Sequence, residues 1–67
     1  MILEDLSTIQ INHIIDMYVH SDRDRSIMKR RLIDGLTYER LAEEFALSDR
    51  QIKNIVYKNK NKLIKHI

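Results

Sequence analysis

The spacing of apolar residues along the chain predicts four amphipathic helices. Apolar side chains that recur three and four positions apart lie on one face of a helix. Four stretches have this spacing: Ile11, Ile14, Ile15 and Tyr18; Ile27, Met28, Leu32 and Ile33; Leu41, Ala42 and Phe45; and Ile52, Ile55, Val56 and Leu63. The 67 residues include no proline and one glycine, which argues against a β fold with many turns. We therefore expect one all-α domain of four helices with a modest core.

Residues that can cap helix N-termini mark where these helices begin. Two pairs have the spacing of a capping box, in which each side chain bonds the other residue's backbone amide: Ser7 with Gln10, and Ser48 with Gln51. Ser21 and Thr37 are expected to be single N-caps. The predicted segments are an acidic N-terminal helix within residues 1–20, a support helix at 21–34, and two further helices at 37–46 and 49–64.

Two positions between the helices are expected to have a left-handed backbone. Gly35 follows the second helix as its C-terminal cap. Ala46 lies between the last two helices, at a position where glycine is usual because the chain needs a positive φ. A helix, a tight turn and a second, capped helix with an outward polar row follow one another in the order that a helix-turn-helix requires. We therefore expect the last two helices to form this motif.

The charge distribution singles out the last helix. The net charge of the chain is only +2, but residues 1–20 contain three acidic residues and no lysine or arginine. Residues 48–67 contain six basic residues against Asp49 alone. A local basic stripe is typical of a polyanion binder, although many solvated helix faces are also charged. Together with the turn pattern and the caps, the stripe favours DNA binding.

Specific side chains on this helix suit the two kinds of DNA contact. Arginine, lysine and asparagine can bond base edges in the major groove, and an aspartate can accept from cytosine. The predicted base-reading residues are Asp49, Arg50, Lys53, Asn54 and Tyr57. The predicted phosphate contacts, which position a protein without reading sequence, are Lys58, Lys60, Lys62, Arg40, Arg23 and Arg25. For Tyr57 a phosphate contact and a packing role are about equally expected, and Tyr38 is expected at the core or its rim.

The segment around the predicted turn resembles the fourth region of bacterial sigma factors. The matching run is IDGLTYERLAEEF, residues 33–45, where the family has a helix ending at Gly-Leu-Thr/Ser and then a motif like Tyr-Glu-Glu-Ile-Ala-Glu. Residues 48–63 resemble the family's recognition helix, and the likeness covers about residues 21–65. The resemblance implies a tetrahelical fold with a C-terminal helix-turn-helix, and a role in promoter recognition.

The chain also departs from the family's pattern. The family's recognition helix begins Ser/Thr-Arg-Glu-Arg-Val/Ile-Arg-Gln-Ile, and Lys53 and Asn54 stand where it has its Arg and Gln readers. Asp49 and Arg50 replace Arg and Glu, so the charge order is inverted. The resemblance therefore implies a similar fold but a different DNA sequence. Because no second sigma domain is present, we interpret the chain as a stand-alone regulator of bacterial or phage type.

Other classes of function find little support in the sequence. The chain has no cysteine, and His13, His20 and His66 are too scattered for a metal site. No nucleophile–base–acid arrangement is readable, so we expect neither an enzyme nor a cofactor. No apolar run approaches the roughly 20 residues of a membrane span, and the N-terminus is acidic where a signal peptide is basic. We expect no membrane partner and a location in the cytoplasm, on the nucleoid.

Besides double-stranded DNA, two further partners are possible on the sequence, RNA polymerase and a second copy of the chain. In the sigma family this fold also docks on RNA polymerase, so the alternative function is a protein–protein module with the acidic N-terminal helix as its interaction face. A homodimer is expected because a domain this small has few places to bury the apolar residues of its first and last helices. These residues are Ile11, Ile14, Ile15, Tyr18, Leu63, Ile64 and Ile67.

Overall fold

Four α-helices make up most of the part of the chain, residues 6–65, that the computed structural model describes. They are α1 (Thr8–Tyr18), α2 (Asp22–Leu32), α3 (Tyr38–Phe45) and α4 (Asp49–Ile64). Residues 6–65 contain no strand. The prediction of an all-α domain with four helices is confirmed for this range. The described range leaves out residues 1–5, which belong to the predicted N-terminal segment. It also leaves out His66 and Ile67, of which Ile67 belongs to the predicted dimer face.

Each helix begins at the cap that the sequence predicts. The hydroxyl of Ser48 accepts from the amide of Gln51 at 3.1 Å, and the Gln51 side chain accepts from the Ser48 amide at 2.9 Å. Ser7 and Gln10 form the same reciprocal pair at the start of α1. Ser21 and Thr37 each accept one amide three residues on. The caps satisfy amides that a helix N-terminus leaves unbonded, and they fix where each helix starts.

The core lies where α4 meets the other three helices. α4 contacts α1, α2 and α3, and α2 also contacts α1 and α3. The completely buried apolar side chains come from every helix: Ile15, Ile27, Met28, Leu41, Ile52 and Leu63. Ile14, Tyr18, Phe45 and Ile55 pack around them partly buried. The predicted inward faces of all four helices are therefore confirmed.

The prediction that the apolar face of the first helix stays uncovered in the single chain was wrong. Ile11, Ile15 and Leu63 are buried within the single chain, because α2 and α4 together form a surface that covers the apolar face of α1. Among residues 6–65, Ile64 is the member of the predicted set that is a large exposed apolar side chain, and the others so exposed are Ile9, Met17 and Tyr57. A dimer therefore remains a prediction, but it cannot rest on the inner face of α1.

Two ion pairs hold α2 against its neighbours. The Lys29 ammonium lies 2.6 Å from Asp16 of α1, and its hydrogen bond lowers the pKa of that carboxyl. Arg30 donates to both carboxylate oxygens of Glu44 in α3, at 3.0 and 2.5 Å. Both pairs are partly exposed, so they orient the helices more than they stabilise them. Within residues 6–65, every helix is too short or too polar to cross a membrane.

Candidate nucleic-acid interface

The connection between α3 and α4 is a tight turn built on Ala46. α3 ends at Phe45, Ala46 follows with φ 56° and ψ 42°, and α4 begins at Asp49. The amides of Ala46 and Leu47 both donate to the carbonyl of Ala42, which closes the end of α3. Among the described residues, Ala46 is the one non-glycine residue with a positive φ. The left-handed turn predicted at this position is confirmed, as is the positive φ of Gly35, at 72°.

The outer face of α4 carries four of the five predicted base-reading residues. Successive residues of an α-helix are rotated by about 100°. Arg50, Asn54, Tyr57 and Asn61 therefore follow the middle of the face that is opposite the buried Ile52 and Leu63. Lys53 lies at its edge. The same rotation places Asp49 on the side of the buried stripe, close in direction to Ile52, at the first position of the helix. Asp49 and the five outward side chains are all exposed. α4 thus presents a continuous polar row along most of its length.

The predicted lysine contacts divide between the two sides of this row. By the same rotation, Lys53 and Lys60 lie on the side that faces α2 and α3. This placement agrees with the Lys53 ammonium being 5.8 Å from the centre of the Tyr38 ring. Lys58 and Lys62 lie on the opposite side. Lys58 is exposed, whereas Lys60 and Lys62 are half-buried. Positive charge therefore borders the polar row on both sides.

The predicted arginine contacts have more varied surroundings. Arg40 is exposed on α3. Arg23 donates to Asp24 at 3.3 Å. Arg25 donates to Asp22 and, at 3.3 Å, to the carbonyl of Val19, which ends α1. The guanidinium of Arg25 thus ties the start of α2 to the end of α1, and its donors have less freedom to reach a phosphate than those of Arg40.

Two tyrosines meet beside the row. The rings of Tyr38 and Tyr57 lie edge to face, with centroids 6.3 Å apart and planes at 85°. A hydrogen bond with Tyr38 is the main cause that raises the pKa of Tyr57. Tyr38 is half-buried, as its predicted place at the core rim requires. Tyr57 packs against it yet remains 53% exposed, so its outer edge is accessible.

Two residues that the sequence did not single out make contacts between helices beside the polar row. Asn59 is 5% exposed, and its amide donates to the Ile55 carbonyl at 2.8 Å and to Asp24 of α2 at 3.4 Å. Its spacing from Val56 and Leu63 was the available signal, since it places Asn59 on the buried stripe. Arg31 lies over the Tyr38 ring, 4.3 Å from its centre. That contact joins α2 to α3, and no local pattern in the sequence indicates it.

Comparison of the chain with protein-family models, with curated proteins and with solved structures returned no match. The function is therefore inferred from the chain's own side chains.

Proposed function

We propose that the protein is a sequence-specific, double-stranded-DNA-binding regulator of transcription. In this proposal α3, the turn at Ala46 and α4 act as a helix-turn-helix similar to sigma factor region 4. α4 enters the major groove, with Arg50, Lys53 and Asn54 at the base edges. Such a regulator acts in the cytoplasm, on the nucleoid.

The observation that carries the proposal is the arrangement of side chains on α4. A polar row with donors suited to guanine and adenine has lysines along both of its sides. A helix lying in the major groove has a phosphate backbone on each side and base edges beneath it. The order of side chains across α4 is the same, with Lys60 on one side of the row and Lys58 and Lys62 on the other. This order supports groove binding over a generally solvated charged face.

The turn gives a second line of support. A helix can reach the groove only if most of its outer face is free of the rest of the domain. After the Ala46 turn, the buried residues of α4 lie on its inner face, and Arg50, Asn54 and Asn61 stay exposed. The left-handed alanine costs about 1 kcal/mol relative to glycine. The geometry of the turn is thus kept at an energetic cost, as is expected where a function depends on it.

The test compares base-reading with phosphate-contacting variants on selected and random DNA. Selection from a random duplex pool with the intact protein first supplies a cognate site. Asn54→Ala or Arg50→Ala should weaken cognate binding by roughly 1–3 kcal/mol and random binding much less. Lys58→Ala should weaken both equally and lower the salt slope by about one unit. Asn12→Ala, an exposed site on α1, is the matched control and should change neither.

Asp49 provides an independent measure of readout. If its carboxylate accepts from a cytosine amino group, Asp49→Asn changes the selected sequence. If it only favours the helix dipole while repelling phosphate, the same variant raises affinity for every duplex. Equal losses on cognate and random DNA for Arg50→Ala and Asn54→Ala would remove the claim of sequence-specific readout.

A second candidate function is docking on RNA polymerase or another host protein. The specific observation in its favour is the outer face of α1, where Ile9 is 82% and Met17 51% exposed. A stable complex with polymerase, formed by a protein that binds no duplex at low salt, would replace DNA binding with this function. The two uses are also compatible, because α1 and the row on α4 are separate surfaces.

A further inference from the structure

A cleft lies beside the outer row of α4, between α2, α3 and α4. Its volume is about 210 Å³, and it is lined by Arg31, Leu32, Tyr38, Val56, Tyr57 and Lys60. Two of these side chains are aliphatic, two are phenols and two are cations. None of the carboxylates of residues 6–65 lines it. The cleft therefore combines positive charge with an apolar wall.

Arg31 is held in position at this cleft by uncharged groups. Its guanidinium donates to the carbonyl of Leu36 at 2.8 Å and stacks on the Tyr38 ring. The other four basic residues of α2 each have a carboxylate partner: Arg23, Arg25, Lys29 and Arg30. Among residues 6–65, no carboxylate forms an ion pair with Arg31. The guanidinium of Arg31 is thus held in one orientation, and no ion pair within residues 6–65 neutralises its charge.

A half-buried, oriented guanidinium favours an anion with several acceptor oxygens. The remaining N–H groups of Arg31 form a planar fork that suits phosphate, and a second cation on the same cleft adds to the attraction. We propose that this cleft binds a phosphate ester. The phosphate lies at Arg31 and Lys60, and the carbon skeleton packs against Leu32 and Val56.

This site goes beyond the proposed function, because the phosphate group that it binds could come from either of two ligands. One is a phosphodiester of DNA beside α4, and the other is a free, small phosphate ester. The intact, isotope-labelled protein is titrated with inorganic phosphate and with ribose 5-phosphate, at constant ionic strength set by chloride. NMR signals of the Arg31 side chain and of the Tyr38 and Tyr57 rings should shift and saturate in the millimolar range.

Charge-matched variants separate the cleft from general attraction. Arg31→Gln and Lys60→Gln should each raise the dissociation constant for ribose 5-phosphate about tenfold. Lys62→Gln, which removes the same charge from the opposite side of α4, should change it less than about twofold. Because Arg31→Gln also removes the bond to Leu36, thermal unfolding is measured in parallel and Lys60→Gln serves as the second variant. Shifts that do not saturate, or equal effects of Lys60→Gln and Lys62→Gln, would overturn the site.

A duplex titration then identifies the source of the phosphate. If Arg31→Gln weakens duplex binding and lowers the salt slope by about one unit, the cleft holds a DNA phosphate. If duplex binding is unchanged while ribose 5-phosphate binding is lost, the ligand is a free ester. Phosphate binding without duplex binding keeps the cleft and removes the proposed function. If the protein binds duplex but not ribose 5-phosphate, and Arg31→Gln leaves duplex binding unchanged, the phosphate site in the cleft is rejected and the proposed function is not.

Discussion

Ala46 is the one non-glycine residue among residues 6–65 that has a positive φ. Its φ of 56° and ψ of 42° lie in the left-handed region, where a Cβ atom is unfavourable. Ala46→Gly should therefore stabilise the protein, by somewhat less than about 1 kcal/mol because glycine also gives the unfolded chain more freedom. Chemical denaturation of the two proteins measures the difference. A lower free energy of unfolding for the variant would mean that the methyl group has a favourable contact that outweighs its strain.

Asn59 is a second residue whose role depends on its surroundings. Its side chain is buried, and its amide bonds the α4 backbone and Asp24 of α2. Asn59→Ala should lower the free energy of unfolding by about 1–2 kcal/mol, because it removes these bonds and leaves unfilled space. Asn61→Ala, two positions along on the exposed face, is the control and should change stability by less than about 0.5 kcal/mol. Equal effects would mean that the buried amide contributes little.

At the scale of the elements, the starts of the helices are the part of the fold that sequence predicts best. Each start depends on a serine or threonine and residues within three positions of it, and all four caps were identified in this way. The turn at Ala46 is equally local. The Asn59–Asp24 and Arg31–Tyr38 contacts join residues of different helices. Their geometry depends on how the helices pack, which no local spacing specifies.

The same distinction applies to the candidate site. Helical rotation alone places Arg50, Asn54 and Tyr57 on one face, so the polar row could be predicted before its exposure was known. The cleft could not, because its walls come from three helices. Arg25 is an intermediate case. Its type and position favoured a phosphate contact, but its bond to the Val19 carbonyl depends on how α1 meets α2.

The contact between α1 and α2 should depend on pH through Asp16. The hydrogen bond from Lys29 lowers the pKa of Asp16 in the folded protein. A lowered folded-state pKa adds stability above the ordinary value of 3.8, and this stability is lost as the pH falls through the folded-state value. Asp16→Asn should therefore reduce the free energy of unfolding at pH 7, and the difference from wild type should shrink as the pH falls below 3.8.

A double-mutant cycle assigns this effect to the pair. Lys29→Gln should reproduce the loss at neutral pH, and the double variant should lose less than the sum of the two single changes. Chemical denaturation of all four proteins at both pH values supplies the numbers. If Asp16→Asn differs from wild type equally at pH 7 and at low pH, the ion pair does not stabilise the fold.

For the whole molecule, positive and negative charges are distributed unevenly along the chain. The positive charge is concentrated on α4, while acidic residues predominate in residues 1–20. A polyanion is therefore attracted to the side of the domain that α4 forms. If α4 binds DNA as proposed, the outer face of α1 remains available for a protein contact, including contact with a second copy of the chain.

If the protein binds DNA as proposed, we expect it to do so as a homodimer. One helix-turn-helix reads few base pairs, and two copies that bind half-sites about one helical turn apart gain affinity and specificity. The uncovered apolar residues that suit such a contact are Ile9, Met17 and Ile64, at 82, 51 and 46% exposure. They lie on α1 and at the C-terminal end of α4. Sedimentation at tens of micromolar should give about twice the 8.1 kDa mass of the chain.

Single substitutions then locate the dimer contact. Ile9→Glu should yield a folded monomer if α1 forms the contact, and Ile64→Glu should do so if the end of α4 forms it. Thr8→Glu adds the same charge at an exposed neighbour of Ile9 and should leave the dimer intact. On DNA, a monomeric variant should lose affinity for two correctly spaced half-sites but keep its affinity for one, since each α4 still binds. A monomer mass for the unaltered protein would reject the dimer, and the proposed DNA binding would then have to rest on a single copy of α4.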